Sequence, residues 1–392
     1  MSDNVNRESR STVHMIALLI MAIFLSMGGR VIFSPLMPYL QEEIDITLTM
    51  AGTLFLFVSV SFSLGLLLAG FVSFWIGHGR TIVSALAMVS SGLLICASAH
   101  SVMMLSFGMI WIGTGAGIYP PSGFAMINNK ISVEKRSSAY AFHELGPNLA
   151  LLVAPFFVLA AAPVLGWRGV VVLTSGLTGI GALAFYIWGA ADSGFGARPN
   201  LSIVGRILRM RDAQMAMLLF SAALGGWQGV YAILPAYLVD NNLGSAEYVN
   251  SLLTASRATS VVMLLFTGMI IARLGRRKTI VVSLLFTSVL TGMLGVVEGR
   301  LLAAVMVIQP ALVSVMLPAM LSSLAGVGEE QYQNITSALI ITIGMSVGTG
   351  VVPVLLGMFG DYGLGWLGFV ALSVYILTAV IALILTPTFG RD

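Results

Sequence analysis

Charged residues are scarce in this 392-residue chain and make up only 9% of it, whereas a soluble domain carries about 25%. So few charges cannot cover the surface of a soluble protein. The single cysteine, Cys96, excludes intrachain disulfides and thiolate metal sites. The sequence also lacks a glycine-rich phosphate loop, zinc-ligand spacing and a nucleophile triad. We therefore expect neither an enzyme nor an ATP-driven pump, and no cofactor.

What the chain has instead is a close succession of long apolar runs, with 58% hydrophobic residues overall. A hydrocarbon core about 30 Å thick is crossed by about 20 apolar residues in a helix. The runs show no period-2 alternation, so that helices rather than barrel strands are indicated. We predict twelve spans, at residues 14–39, 48–75, 80–99, 101–128, 136–162, 167–190, 212–239, 246–272, 278–297, 301–326, 332–359 and 364–386.

The basic residues lie on one side of these spans. One set of loops and termini holds 15 of the 19 lysines and arginines, whereas the opposite loops hold only Arg168 and Arg300. Because positive loops stay in the cytoplasm, we predict that both termini are cytoplasmic in the cell (inner) membrane. The surrounding lipid is then the main partner, and nucleic acid is not expected to bind.

The chain repeats itself with an offset of 197 to 199 residues. Matched positions include Gly28-Gly29 with Gly225-Gly226, Gly146 with Gly344, and Pro155 with Pro353. Residues 191–211 form the longest polar stretch, which we interpret as a cytoplasmic linker. The predicted domains are accordingly a six-helix bundle at 1–190, the linker at 191–211, and a second bundle at 212–392. Such parallel repeats are typical of major-facilitator-type transporters.

Two cytoplasmic loops carry a resemblance to that superfamily. The sequence Gly268-Met-Ile-Ile-Ala-Arg-Leu-Gly-Arg-Arg-Lys278 resembles its loop signature, G-x-L-A-D-R-x-G-R-R, and residues 70–80 form a degenerate copy. The signature's Asp is replaced by Phe74 and Ala272. The resemblance implies an all-α membrane protein in which two six-helix pseudo-repeats rock about a central site, acting as a monomer. It assigns conformational roles to Gly70, Gly77, Arg80, Gly268, Arg273, Gly275, Arg276 and Arg277.

The first span has a narrower resemblance. Gly29-Arg30-Val-Ile-Phe-Ser-Pro-Leu-Met-Pro38 is similar to the first span of organic-anion symporters in the superfamily, although many of those carry Asp where Gly29 stands. Gly146-Pro147 in the fifth span resembles a fragment of the signature of drug exporters. The paired glycines that should follow are Leu149 and Ala150, so that most of the exporter signature is missing.

Three charged residues remain inside the predicted spans, namely Arg30, Glu144 and Arg257. A charge in the bilayer centre costs at least about 2.5 kcal/mol, which makes such residues functional candidates. None of the three has a charged counterpart in the other repeat, as a purely architectural charge would. The alternatives remain open: Arg257 and Glu144 pair structurally, or Arg30 reaches the outer surface.

Polar side chains share helical faces with these charges, as the 3.6-residue period requires. Ser26 and Ser34 flank Arg30, Tyr140 and Asn148 flank Glu144, and Asn250 shares a face with Arg257. His143 is assigned to proton coupling with Glu144 or to packing. The substrate-binding candidates, each open between packing and contact with cargo, are Arg30, Arg257, Tyr119, Trp227, Gln228, Tyr231, Gln309 and Asn148.

These charges favour a secondary active transporter of a small, carboxylate-like organic anion, since two arginines and one glutamate leave a net positive site. If an arriving anion displaces Glu144 from Arg257, Glu144 takes up a proton, and the two move together as a symport. Proton-coupled efflux of a drug or metabolite is the alternative. A sensor or assembly factor on the same scaffold is a third, and sodium in place of the proton is not excluded.

Overall fold

The protein is described by a computed structural model that covers residues 2–191, 194–196, 204–327 and 333–386. Within these ranges the regular structure is helical, with no β-strand. The predicted linker lies partly outside the described residues, as do Arg198 and Arg391 from the basic loops and termini. Its described part contains the short helix α8, Val204–Ile207, where the sequence predicts one near residues 203–208.

Contacts between helices divide the chain into two units. Unit 1 comprises Met1–Phe33 and Val60–Pro199, and unit 2 comprises Ser34–Ser59 and Asn200–Asp392. By its contacts the stretch Ser34–Ser59 therefore belongs with the C-terminal part of the chain. The sequence-based division at residues 191–211 stays a prediction.

The helices of the first half are mostly long enough to cross a membrane. They are α1 (Ser2–Val31), α2 (Phe33–Ile44), α3 (Leu48–Ile76), α4 (His78–Ala97), α5 (Val102–Lys130), α6 (Val133–His143) and α7 (Leu145–Trp188). In unit 1, α4 packs against α5 and α7, and α1 packs against α5, α6 and α7.

Helix α7 is two helices joined at a kink. Gly166 has φ 65° and ψ 170° there, a conformation that costs a residue with a Cβ atom far more than glycine. The predicted fifth and sixth spans meet at this residue. Among the described residues, eleven helical segments are long and apolar enough to cross a membrane, and counting the two arms of α7 separately gives twelve. The predicted all-helical fold with two six-helix repeats is confirmed.

The second half contains eight further α-helices and two π-helical segments. They are α9 (Arg211–Leu224), α10 (Val230–Asp240), α11 (Ala246–Leu274), α12 (Arg276–Leu294), α13 (Gly299–Ser323), α14 (Gln333–Met345), α15 (Val352–Asp361) and α16 (Gly365–Leu385). A π-helix, Gly225–Gly229, joins α9 to α10, and a second, Ser346–Val351, joins α14 to α15.

The two π-helices touch through glycines. A Cβ atom on Gly229 would lie 2.2 Å from the carbonyl oxygen of Gly348, and one on Gly348 would lie 2.7 Å from the Gly225 nitrogen. Small residues let helix backbones approach closely inside a membrane, where packing rather than the hydrophobic effect drives association. Of the three glycines in this contact, Gly225 is also one of the repeat markers in the sequence.

The repeat is visible in matched details of the two halves. Gly77 and Gly275, which lie 198 residues apart, have φ/ψ of 81°/159° and 78°/158°. Ser90 donates to the Ser175 carbonyl at 2.9 Å, and Ser288, its counterpart, donates to the Ser373 carbonyl at 2.8 Å. Equal offsets in sequence thus produce equal local structures.

Candidate functional site

Arg257 lies on the uninterrupted helix α11 and is only 7% exposed. Its guanidinium carbon lies 5.0 Å from the centre of the Tyr231 ring and 5.9 Å from that of Trp227. Its Nη1 atom is buried without a hydrogen-bond partner. Among the described residues of unit 2, no carboxylate forms a salt bridge with it. This cation is therefore held by aromatic faces and not by an acid.

The aromatic partners of Arg257 come from the first π-helix and α10. In the π-helix the Val230 N–H donates to the Gly225 carbonyl, five residues back. The Gly226 carbonyl, its acceptor in an α-helix, receives instead the side-chain amide of Gln309, which also bonds Thr291 Oγ1 at 3.1 Å. Such π segments occur mostly as single turns, often at functional sites. Gln309 thus fixes the backbone that carries Trp227.

Tyr231 is anchored at both its ring and its backbone. Its hydroxyl donates to the Met306 carbonyl at 2.6 Å, and its own carbonyl accepts a hydrogen bond from Ser34 Oγ. Its ring is therefore held beneath the guanidinium. Gln228 lies on the first π-helix, next to Trp227, and is half-buried.

Among the described residues of unit 2, the buried polar atoms without a hydrogen-bond partner include Arg257 Nη1, Trp227 Nε1, Asn250 Oδ1 and Gln309 Oε1. The other amide atom of Asn250 donates to the Pro35 carbonyl at 3.1 Å. A buried polar group left unsatisfied costs about 1–3 kcal/mol. Two of these atoms are N–H donors and two are amide acceptors, so that a ligand with a carboxylate and a hydroxyl matches both types.

Arg30 lies at a break in the first predicted span. Helix α1 ends at Val31 and α2 begins at Phe33, because Pro35 has no N–H to donate to the Val31 carbonyl. The half-buried guanidinium stacks on the Phe62 ring at 4.1 Å and donates from Nη2 to the Met27 sulfur at 3.2 Å. Ser34, predicted on the same helical face, follows the break and belongs to unit 2.

Glu144 lies at a second break, between α6 and α7. The sequence predicted a span over 136–162, and the structure interrupts its helix by one turn at this residue, since Pro147 has no N–H for the His143 carbonyl. The Glu144 side chain is 57% exposed, and its Oε1 lies 3.6 Å from His143 Nδ1. Asn148 donates its amide to the Glu144 carbonyl at 2.8 Å across the break.

His143, unlike Glu144, is buried among aromatic residues. Its Nε2 lies 2.9 Å from the Tyr119 hydroxyl, which donates to the Leu19 carbonyl at 2.9 Å. The imidazole stacks on the Tyr119 ring and contacts Phe124, with ring centres 5.9 and 5.4 Å apart. His143 and Glu144 are adjacent in the sequence, and their side chains approach to 3.6 Å between Nδ1 and Oε1.

The loop residues of the signature lie beside Gly77 and Gly275. Arg277 Nη2 donates to the Leu383 carbonyl at 2.7 Å, near the end of α16, and Arg276 Nη1 to the Ser322 carbonyl at 3.4 Å. A cation at a helix C-terminus is favoured by the helix dipole. Arg80 and Arg273 are exposed, as are Phe74 and Ala272 where the signature has Asp. Gly70 lies on α3 and is half-buried, and Gly268 lies on α11 and is exposed.

The structure therefore collects the candidates into two groups, one in each unit. Arg257, Trp227, Tyr231 and Gln309 form the unit 2 group, and Glu144, His143, Tyr119 and Asn148 form the unit 1 group, in which Arg30 is separately stacked on Phe62. The sequence analysis did not identify Phe62 or Phe124. Single phenylalanines in an apolar span give no signal, because nothing distinguishes them from residues that face lipid.

The sequence profile of the Major Facilitator Superfamily matches residues 19–240 and, a second time, residues 216–391. The two matches together cover almost the whole chain and correspond to its two halves. Among curated proteins no match is found.

Solved structures with a similar fold include bacterial and nucleoside transporters. A bacterial homologue of the human lysosomal transporter Spinster, inward-facing and occupied, is 13% identical with a TM-score of 0.78 over 95% of this chain and 96% of that one. Its unoccupied form is 15% identical, with a TM-score of 0.79 over 96% of each chain. A variant of the nucleoside transporter NupG is 10% identical, with a TM-score of 0.78 over 95% and 99%.

Proposed function

The chain belongs to the Major Facilitator Superfamily, and from that premise we propose that it carries a small organic anion across the cell membrane together with a proton. It is an integral membrane transporter and not an enzyme. The proposal extends to secondary active transport by a monomer whose termini are both cytoplasmic. The observation that carries the choice of cargo is the buried guanidinium of Arg257, which has an unpartnered Nη1 and forms no salt bridge with a described carboxylate of unit 2.

The anion site centres on Arg257. An arginine presents its N–H groups in a planar fork that suits a carboxylate, and the paired hydrogen bonds add both strength and orientation. Tyr231 and Trp227 hold the guanidinium by its face, which leaves its edge available. Trp227 Nε1 offers a further donor, and the amide oxygens of Asn250 and Gln309 offer acceptors for a hydroxyl on the cargo.

Arg30 is proposed as a separate and weaker contact for an anion within unit 1. It is half-buried and has a soft sulfur acceptor in Met27, which a carboxylate would outcompete because charge-assisted hydrogen bonds are the stronger type. The ring of Phe62 would keep the guanidinium in place in the same way as Tyr231 holds Arg257.

The proton role is assigned to Glu144 with His143. A carboxylate that is 57% exposed can exchange protons with water, and it lies beside an imidazole. Carrying an anion with a proton leaves the net charge of the protein unchanged between its empty and loaded states. Charge is costly inside a bilayer, so that this neutral pairing favours symport over the transport of the anion alone.

Efflux of a cationic compound is the alternative that Glu144 itself supports. Among the described residues its carboxylate has an ion pair only with His143, which would leave it able to receive an amine. Nucleosides, which the name of NupG indicates for that protein, carry no carboxylate and would have no use for the charge of Arg257. Both classes therefore belong among the test compounds.

The deciding experiment is uptake into liposomes that contain the purified protein, with an inward proton gradient and a panel of carboxylates, nucleosides and amines. We expect uptake of one carboxylate class, abolished by a proton carrier and by Arg257→Ala. Proton-driven uptake that persists in Glu144→Gln would remove Glu144 from the proposal. Uptake of nucleosides or amines that Arg257→Ala does not affect would reject the anion site.

A further inference from the structure

We infer that the atom which accepts the coupled proton is Nδ1 of His143, and that Tyr119 is the positioning residue that keeps this atom free of hydrogen. The inference rests on the proposed proton coupling and names its acceptor. It assigns to Glu144 the task of exchanging the proton with water. The sequence predicted Glu144 as the residue that takes up the proton, left His143 open between proton coupling and packing, and placed Tyr119 among the candidate cargo contacts.

The hydrogen on each atom follows from the bonding around Tyr119. The Leu19 carbonyl can only accept, so that the Tyr119 hydroxyl donates its one hydrogen there, at 2.9 Å. Toward His143 Nε2, also at 2.9 Å, the hydroxyl oxygen must therefore act as acceptor. Nε2 consequently carries a hydrogen. In a neutral imidazole this fixes Nδ1 as the bare nitrogen with a lone pair.

The Nδ1 atom of His143 is a buried hydrogen-bond acceptor that receives no hydrogen bond within the described part of the chain. The His143 residue is 1% exposed, and Nδ1 has no hydrogen-bond partner among the described residues. Glu144 Oε1 lies 3.6 Å from it, which is too long for a good hydrogen bond. The atom is thus unsatisfied while both groups lack a proton, and a proton placed between them removes that cost.

The proton moves in two steps that conserve every atom. Glu144, the exposed member, first accepts on a carboxylate oxygen a proton from a hydronium ion, which leaves as water. A small rotation of its side chain then brings that O–H to Nδ1, the proton passes to the imidazole, and the carboxylate is restored as the partner of an imidazolium. Release reverses both steps. The pair therefore holds one proton, buried on His143 and neutralised by Glu144.

Among the described residues with a contact to the imidazole, Glu144 is the one that carries a formal charge. The groups that face it are Tyr119 and Phe124 from α5, the Leu19 carbonyl from α1, and Glu144 from the turn that follows α6. Of these only Tyr119 and Glu144 are titratable. The Tyr119 ring is stacked parallel to the imidazole, with an interplanar angle of 1°. Rotation of the imidazole would break both this stacking and the bond to Nε2.

The direct test is nitrogen NMR of protein labelled with 15N-histidine and held in lipid nanodiscs. The chain has four histidines, and the His143 signals are those lost in His143→Gln. At a pH where the ring is neutral we expect a protonated Nε2 and a bare Nδ1. On acidification Nδ1 should gain its proton. A neutral ring protonated at Nδ1, or a ring that never titrates between pH 5 and pH 9, would overturn the inference.

A matched pair of variants separates positioning from general structural damage. Tyr119→Phe removes the acceptor of the Nε2 hydrogen, and we expect a mixture of tautomers and a shifted pH midpoint of uptake, with unchanged anion affinity. Tyr140→Phe is the control, because Tyr140 lies on the same helix as His143 but donates to Asn128 Oδ1 instead. Equal shifts in both variants would contradict the role of Tyr119.

The two proposals fail in different ways. If Arg257→Ala leaves anion binding intact while His143 shows the stated tautomer, the anion site is wrong and the assignment of Nδ1 stands. If uptake is proton-driven and depends on Arg257 but His143 shows the opposite tautomer, only the assignment of Nδ1 is wrong.

Discussion

The two halves of the chain each place an arginine on an aromatic ring, but they do so from exchanged positions. In unit 1 the arginine is Arg30, at the end of α1, and the ring is Phe62 on α3. In unit 2 the rings come from the first π-helix and α10, and the arginine is Arg257 on α11. By the repeat offset, Arg30 corresponds to Trp227. The repeat therefore exchanges the two partners: the helix that carries the arginine in unit 1 corresponds to the segment that carries an aromatic ring in unit 2.

This exchange separates what the repeat conserves from what it leaves variable. The shared features are backbone features, such as the turns at Gly77 and Gly275 and the serine bonds between helices. The charged side chains do not repeat. Helix packing constrains both halves alike, because it builds the same kind of bundle twice, whereas the charged side chains are under no such shared constraint.

Among the substitutions that test this comparison, the largest loss of stability is expected at the contact between the two π-helices, which belongs to the second half. Gly229→Ala places a Cβ atom 2.2 Å from the Gly348 carbonyl oxygen. Backbone must shift to relieve this overlap, and we expect a loss of about 1–3 kcal/mol in the free energy of unfolding.

Thermal unfolding in detergent measures this loss, and Gly28→Ala is the control. Gly28 lies on the helix of unit 1 that corresponds to α9 and its π-helix, and a Cβ atom there meets nothing within 4 Å. We expect no destabilisation from Gly28→Ala. Equal unfolding temperatures for the two variants would show that the contact between π-helices is not formed.

A second difference lies at the N-termini of α3 and α11, which the repeat makes equivalent. Thr47 Oγ1 accepts from Met50 N at 3.2 Å and Ser245 Oγ from Tyr248 N at 3.3 Å, so that each helix has one local cap. Helix α3 has in addition the Asp361 carboxylate, which accepts from the Leu48 and Thr49 amides, both at 2.9 Å.

Asp361→Ala should therefore destabilise the protein by about 1 kcal/mol, the typical worth of an N-cap side chain. The readout is again the unfolding temperature. Glu298→Ala is a matched control, because Glu298 occupies the N-cap position of α13 and makes no cap hydrogen bond. A loss of the same size in both variants would mean that the carboxylate of Asp361 does not cap α3.

The contact of Arg30 with Phe62 is tested by Phe62→Leu, which keeps the side chain apolar and large but removes the aromatic face. We expect a loss of about 0.5–1 kcal/mol, the range of a partly exposed cation–π contact. Phe266→Leu is the control, since this ring is exposed on α11. No difference between the two variants would make the stacking of Arg30 incidental.

The smallest effect is expected from the paired serines. Ser90→Ala and Ser288→Ala each remove one hydrogen bond between helices, and such bonds contribute about 0.6 kcal/mol in membrane proteins. The two losses should be equal, because the two bonds are the same element of the repeat. Clearly unequal unfolding temperatures would contradict the structural equivalence of the halves.

The fold could be predicted because the features that determine it are local patterns in the sequence. Apolar length predicts each crossing, and the matched glycines and prolines reveal the repeat. The helix breaks at Ile32 and Glu144 were not predicted, because hydropathy shows only that the apolar run is continuous. Pro35 and Pro147 are the sequence signals that could have indicated them. The π-helices were missed for a similar reason, since Gly225-Gly226 and Gly229 are equally compatible with ordinary helix.

The sequence identified the charged residues of the two candidate groups but not the side chains that they contact. Arg257 and Glu144 stand out in the sequence because charge is rare in a span. Which ring lies under Arg257, and which atom of His143 faces Glu144, depends on side chains brought together from separate helices. Sequence spacing does not encode these contacts, and single aromatic residues are too common in spans to mark them.

The account depends above all on Arg257 as the group that binds an organic anion. Isothermal titration of the purified protein with mono- and dicarboxylates tests this directly, with Arg168→Ala as the control. Arg168 also stacks on an aromatic ring, Trp167, but its Nη2 donates to the Ala99 carbonyl at 2.6 Å.

We predict that a carboxylate binds the wild type and Arg168→Ala alike, and that Arg257→Ala weakens binding by about 30-fold or more, equivalent to about 2 kcal/mol. If Arg257→Ala binds the same carboxylate as tightly as the wild type, the buried arginine is a packing element and the anion-transport account is wrong.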